Sequence, residues 1–210
     1  MTAAGPAVLL LTSASAPPAG VEALRTALAE HGPVAVPRWG VDPAAADPLA
    51  GPAATVRAGL DAAAPVVVCG VGAGALLGLR LAAVAPDRVA GLVLATGRAP
   101  SGRRLVRSVH RGVADLLPVP VLQRLHADER GLLRTLDLVR PRDARADAAR
   151  VRVPARVAWG RHDPLDRLTA HRLAAALPAG ALVAVDAGPG WVWREPERLA
   201  AVVADEPAAG

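Results

Sequence analysis

The chain of 210 residues contains no Phe and no Tyr, and it also lacks Lys, Ile and Asn. AT-rich codons encode these five residue types, so their absence indicates a genome of high GC content, which we expect to be bacterial. All 24 basic residues are therefore Arg, and the choice of Arg over Lys at any one position carries little information. Four Trp residues supply all of the aromatic surface.

Other features are scarce as well. The single Cys excludes a disulfide within the chain and fits a reducing compartment. The first residues carry no basic segment, and the apolar run Ala7–Leu11 is too short for a signal peptide. No stretch reaches the roughly 18 apolar residues that a membrane span needs. These absences predict a cytoplasmic protein with no membrane segment.

The residues that are present predict one folded domain, residues 1–210. Hydrophobic residues make up 52% of the chain and charged residues 20%, a composition that argues against disorder. Apolar runs typical of buried strands alternate with segments of helical periodicity. The predicted strands are Ala7–Thr12, Val34–Pro37, Val66–Cys69, Val89–Thr96, Ala155–Gly160 and Leu182–Asp186. The predicted helices are Pro18–His31, Ala53–Ala63, Ala73–Ala85, Leu168–Leu177 and Pro196–Ala204. This order predicts an α/β fold, with a parallel sheet of about six strands and helices on both faces.

One long segment interrupts the alternation. Between Thr96 and Val153 no strand-like run occurs, and several Pro residues divide the segment into short helical pieces. We predict a short helical cap, inserted at about residues 98–152, that lies over the C-terminal edge of the sheet.

The predicted cap is strongly basic. Residues 98–152 contain 13 Arg against 6 Asp and Glu, whereas the rest of the chain contains 11 against 13. Arg103, Arg107 and Arg111 recur at the spacing of one helical stripe. This stripe is either a solvated helix face or a contact surface for an anionic partner. No aromatic residues interleave with these Arg residues, so the sequence predicts no nucleic-acid binding.

Three motifs appear in the order known from one family. "VVVCGVGAGALLGLRLAAVAPDRVAGLVLA" resembles the strand, elbow and helix that carry the nucleophile of the α/β-hydrolases, together with the entry to the next strand. "VRVPARVAWGRHDPL" is similar to the acid-strand motif of that family. "LVAVDAGPGWVWREPERLA" resembles its histidine loop and last helix. The resemblance covers most of the chain and implies an α/β-hydrolase-like sheet that begins at the family's third strand.

The resemblance assigns a position to each member of the catalytic triad. The family elbow G-x-S-x-G has Gly72 here in place of Ser, and the histidine position holds Pro189. The acid position, Asp163, is kept. Because triad hydrolysis needs a nucleophile and a base within hydrogen-bond reach, the resemblance implies a degenerate catalytic triad and a hydrolase-like pseudoenzyme.

Three polar residues near these positions have alternative interpretations. Asp163 is either a turn and capping residue or an acid with a new partner. His162 is either a turn residue or a replacement base. Cys69 is either a small buried hydrophobe or a nucleophile, which would require an accessible, electropositive site.

A ligand pocket is expected at the same edge of the sheet. Thr12 and Ser13 occupy the family's oxyanion loop, and Val71, Gly72 and Ala73 form the elbow, where the N–H groups of a helix N-terminus are free. Trp39, Trp191 and Trp193 lie in nearby loops, where they either line the pocket or pack the loops. No cofactor or metal is predicted, since Ala75 breaks the G-x-G-x-x-G spacing of a dinucleotide site.

These residues favour a protein that binds or transforms a small apolar carbonyl compound without hydrolysing it. One alternative is a scaffold or interaction protein that uses the Arg-rich cap as its contact surface. The other is a hydrolase with an unconventional nucleophile.

Overall fold

Six parallel strands form a single sheet in the order β2-β1-β3-β4-β5-β6. The computed structural model describes residues 6–13, 16–42, 45–60, 64–95 and 141–205. The strands are β1 Val8–Leu11, β2 Val34–Ala35, β3 Val66–Val71, β4 Val89–Ala95, β5 Ala155–Gly160 and β6 Gly180–Val185. The predicted six-stranded parallel sheet is thereby confirmed.

Helices cover both faces of this sheet, also as predicted. They are α1 Pro18–Ala29, α2 Ala50–Ala58, α3 Ala73–Val84, α4 Pro141–Arg150, α5 Pro164–Ala176, α6 Trp191–Arg194 and α7 Pro196–Ala204, with a 3-10 turn at Pro86–Arg88. Residues of α2, α3, α4 and α5 belong to one core cluster, and residues of α1, α6 and α7 to the other. No described helix is long and apolar enough to cross a membrane.

The alternation of side chains along the central strands creates the two cores. Leu9 and Leu11 of β1 pack on the α3 side, whereas Val8 and Leu10 pack on the α1 side. All four are buried, as expected for a parallel sheet that is covered on both faces.

Several boundaries differ from the predictions for local physical reasons. Strand β2 ends at Ala35, two residues early, where Pro37 offers no N–H for a ladder. Helix α5 begins at Pro164 instead of Leu168, because a Pro fits the first turn of a helix. Strand β6 begins at Gly180, and the short helix α6 was not predicted.

Helix α4 is the described part of the predicted insertion. It packs against α3 and α5, and its residues Asp147 and Ala148 are each 1% exposed. This end of the insertion therefore covers a face of the sheet. Residues 96–140, which include Arg103, Arg107 and Arg111, lie outside the described residues, so the anionic-partner surface stays a prediction.

The strand order creates a crevice. From β1 the chain moves outward to β2, and it then returns to β3 on the other side of β1. The connections after β1 and β3 therefore leave on opposite faces, and open α/β sheets bind ligands at such a switch point. Thr12 and Ser13 follow β1 and Gly72 follows β3, which places the predicted site at this crevice.

Candidate functional site

Gly72 forms the corner between β3 and α3. Its backbone has φ 59° and ψ −121°, a region that residues with a Cβ rarely adopt. Holding a larger residue there would cost about 1–3 kcal/mol. The corner therefore has the strained shape expected of an elbow, and Gly is the residue that adopts it with least strain.

The glycines on either side of the corner allow the backbone to approach closely. A Cβ built on Gly74 would lie 1.9 Å from the carbonyl oxygen of Leu11, and one built on Gly70 would lie 2.7 Å from the Cα of Ala75. The N-terminus of α3 therefore sits directly against the end of β1. Val71 and Ala73 are buried beside Gly72, and the first turn of α3, where helix N–H groups begin without carbonyl partners, starts at this corner.

Asp163 caps a helix. Its side chain is buried, and its Oδ1 accepts a hydrogen bond from the backbone N–H of Asp166 at 3.1 Å. The N–H of Asp163 donates to the carbonyl oxygen of Gly160 at 2.9 Å. These contacts form an N-cap on α5 and connect it to the end of β5, and they support the capping interpretation of Asp163.

The cap leads to a prediction for two substitutions. Asp163→Ala should lower the free energy of unfolding by about 1–2 kcal/mol, because the cap bond to Asp166 is lost. Asp163→Asn keeps an acceptor oxygen and should cost less. Urea unfolding of both variants measures the difference. If the two variants were equally destabilised, the carboxylate charge would matter more than the cap bond.

The loop of the predicted histidine position holds Pro189, whose carbonyl oxygen accepts a hydrogen bond from the guanidinium of Arg194. The next residue, Gly190, has φ 73° and begins α6. Trp191 is 1% exposed and belongs to the core on the α1 side. Trp193 is half-buried against Gly20 of α1. For these two Trp residues the structure favours loop packing over the pocket lining that we expected.

His162 lies on the surface. Its Nε2 is 2.9 Å from Oδ1 of Asp186, and the two side chains are 66% and 69% exposed. This contact gives His162 a surface partner and favours the turn interpretation.

Cys69 lies in the interior of β3. Burial raises the pKa of its thiol to about 12, so the thiolate is not populated near neutral pH. The position favours the interpretation of Cys69 as a small hydrophobe.

A cavity of about 510 Å³ opens beside the ends of β1 and β2. It brings together three of the predicted pocket residues, Thr12, Ser13 and Trp39. Its complete lining is Thr12, Ser13, Pro18, Val21, Glu22, Val36, Pro37, Arg38 and Trp39. The elbow residues Val71, Gly72 and Ala73 are not part of this lining, but Trp39 also packs against the cluster that contains Ala73.

Sequence reasoning missed two charged residues of this lining, Glu22 and Arg38. A signal for Arg38 was available, since it lies in the loop three residues after β2 ends and precedes Trp39, at the edge where ligands bind in open sheets. Among the residues that the structure describes, no group of three or more His, Cys, Asp and Glu side chains is arranged to hold a metal ion.

Comparison with known proteins identifies structures that share this fold. No family model matches the chain, and no curated protein matches it. Solved structures match almost its full length. An enol-lactonase from Burkholderia xenovorans LB400 is 20% identical, with a TM-score of 0.65 over 96% of this chain and 90% of that one.

Two further structures give the same result. An α/β hydrolase from Sphaerobacter thermophilus DSM 20745 is 20% identical, with a TM-score of 0.58 over 96% of this chain and 92% of that one. A hydrolase from Pseudomonas aeruginosa PA01 is 22% identical, with a TM-score of 0.63 over 96% and 89%. From the strand order, the elbow at Gly72 and these similarities, we conclude that the chain has the α/β-hydrolase fold.

Proposed function

We propose that this chain binds a small apolar carbonyl compound at the corner between β3 and α3 and does not hydrolyse it. The observation that carries the proposal is Gly72 at that corner, with φ 59° and no side chain to act as a nucleophile. Pro189, in the loop after β6, has no titratable group and offers no base. The buried Cys69, with its raised pKa, is poorly suited to replace the nucleophile.

The same corner retains groups that can bind. The N–H of Ala75 donates to the carbonyl oxygen of Gly72 at 3.1 Å, whereas the N–H groups of Ala73 and Gly74, at the first two positions of α3, have no carbonyl of the helix to bond. The helix dipole also favours negative charge at this end. A carbonyl oxygen at the crevice would accept hydrogen bonds from these groups. If the ligand formed an enolate, its developing charge would be stabilised there, which suits proton transfer, elimination or cyclisation better than acyl transfer.

The test combines two measurements on the purified chain. Hydrolysis of 4-nitrophenyl acetate should stay at the rate of a heat-denatured sample, and a fluorophosphonate probe should label no Ser. Titration with 4-ethylacetophenone should give a saturable change in Trp fluorescence. The hydrocarbon 1,4-diethylbenzene should bind about 2- to 12-fold more weakly, since one hydrogen bond contributes about 0.5–1.5 kcal/mol.

Each contradicting result points to a different alternative. Stoichiometric labelling of a Ser would indicate a hydrolase with an unconventional nucleophile. Equal binding of the ketone and the hydrocarbon would refute the carbonyl site. If no carbonyl ligand bound at all, the scaffold hypothesis would be favoured, and the Arg-rich segment at residues 98–152 would be tested for partners instead.

A further inference from the structure

The cavity lined by Thr12, Ser13 and Trp39 has two charged residues that differ in how far they are paired. Its volume of about 510 Å³ lies in the range that holds small organic ligands. Its lining contains one acidic residue, Glu22, and one basic residue, Arg38. A cavity with one charge of each sign would be neutral if both were equally available to a ligand, and here they are not.

Glu22 is already paired. Both of its carboxylate oxygens accept hydrogen bonds from Arg25, at 2.9 Å from Nε and at 2.5 Å from Nη2. The hydrogen bond to Arg25 lowers the pKa of Glu22. The two residues lie one turn apart on α1, so a nearby cation compensates the charge of Glu22.

Arg38 differs from Glu22 in its surroundings. Within the described ranges, no carboxylate lies at ion-pair distance from its guanidinium. The residue is exposed and lines the cavity, and a guanidinium presents five N–H donors in a planar fork. The uncompensated charge of the cavity is therefore positive. The planar fork of the guanidinium matches the two oxygens of a carboxylate.

Trp39 connects this charge to the elbow. The residue is partly exposed, but its indole Nε1 is buried, so any accessible part of its side chain is carbon. Such a surface binds flat apolar rings by stacking. On its other side Trp39 packs against the cluster of Leu49, Ala73 and Leu76, which includes the first residue of α3.

We propose that the cavity takes an aromatic or cyclic carboxylate, with its carboxylate on Arg38 and its ring on Trp39. In such a ligand a carbonyl group opposite the carboxylate would lie toward the elbow. Only this last feature rests on the proposed function. The carboxylate contact stands on the charges and the lining of the cavity.

The experiment compares three benzene derivatives by Trp fluorescence titration. 4-Ethylbenzoate has only the carboxylate, 4-ethylacetophenone has only the ketone, and 4-acetylbenzoate has both. We expect 4-acetylbenzoate to bind about tenfold more tightly than 4-ethylacetophenone, the lower end of the range for a charge-assisted hydrogen bond. Arg38→Gln should remove this gain. Arg57→Gln, which changes an exposed Arg of α2 outside the cavity, should preserve it.

The outcomes separate the two proposals. Binding of 4-ethylbenzoate that depends on Arg38, with no gain from a ketone, would support the carboxylate site and refute the carbonyl site. Equal binding of 4-acetylbenzoate and 4-ethylacetophenone would overturn the carboxylate site and leave the carbonyl site standing. A gain that survives in Arg38→Gln would overturn the assignment to Arg38, and failure of all three compounds to bind would overturn both proposals.

Discussion

Replacing Gly74 with Ala is expected to destabilise the protein by about 4 kcal/mol, an effect at the upper end for single substitutions. The added Cβ would lie 1.9 Å from the carbonyl oxygen and 2.3 Å from the carbonyl carbon of Leu11. These are backbone atoms at the end of β1, and no rotamer change can move them. The N-terminus of α3 would have to shift away from β1.

Gly51→Ala provides the matched control. Gly51 also lies in a helix, α2, but a Cβ built there meets no atom within 4 Å. This variant should be up to about 1 kcal/mol more stable than the parent, because Ala favours the helix over Gly. Urea unfolding of both variants measures the difference. A loss below about 1 kcal/mol in Gly74→Ala would mean that α3 moves freely against β1.

Asp147→Ala is expected to cost about 3 kcal/mol in unfolding free energy. The Asp147 side chain is 1% exposed and lies between two guanidinium groups, with Arg80 Nε at 2.6 Å and Arg150 Nη2 at 2.6 Å. Removing the carboxylate leaves Arg80, whose side chain is 12% exposed, with the half-exposed Asp47 as its remaining ion-pair partner among the described residues. Breaking one side of a buried ion pair typically costs 3–5 kcal/mol, and the remaining partner places this case at the low end.

A second variant tests the reason for this loss. In the double variant Asp147→Ala/Arg80→Leu no buried Arg80 charge is left unpaired. Its loss in unfolding free energy should therefore be smaller than the sum of the losses of the two single variants. Asp87→Ala is the control, since Asp87 pairs with Arg88 at the surface with a 65% exposed side chain. That control should lose much less unfolding free energy than Asp147→Ala, because solvent screens a surface pair. Additive single effects would show that Asp147 acts through packing alone.

The sequence predicted the central strands and the elbow well, because their signals are local. Strands β3 and β4 are apolar along most of their length, and a strand buried on both faces leaves that pattern. The bounds of the edge strand β6 were predicted less accurately. Three of its residues are exposed, and a partly exposed strand does not need a continuous apolar run.

The contacts that depend on tertiary structure could not be predicted. Arg80 and Asp147 are 67 positions apart, and an Arg in a chain without Lys gives no hint of its partner. The cavity beside β2 was anticipated only through Trp39, Thr12 and Ser13. The net charge of the cavity depends on the pairing of Glu22 with Arg25. The helical spacing of the sequence alone did not single out Arg25.

The backbone conformation at Gly72 limits which mutations could introduce a catalytic triad during evolution. A mutation to Ser at residue 72 would introduce a side chain at φ 59° and would cost about 1–3 kcal/mol in strain. If residue 189 is the base position, as the resemblance implies, this change alone would bring no hydrolysis, since a Ser without a base is a weak nucleophile. A mutation of Pro189 to His alone would equally have nothing to deprotonate. Under that assignment, neither single change would give hydrolysis and the change at residue 72 would cost stability, so the backbone at Gly72 opposes the stepwise gain of a triad.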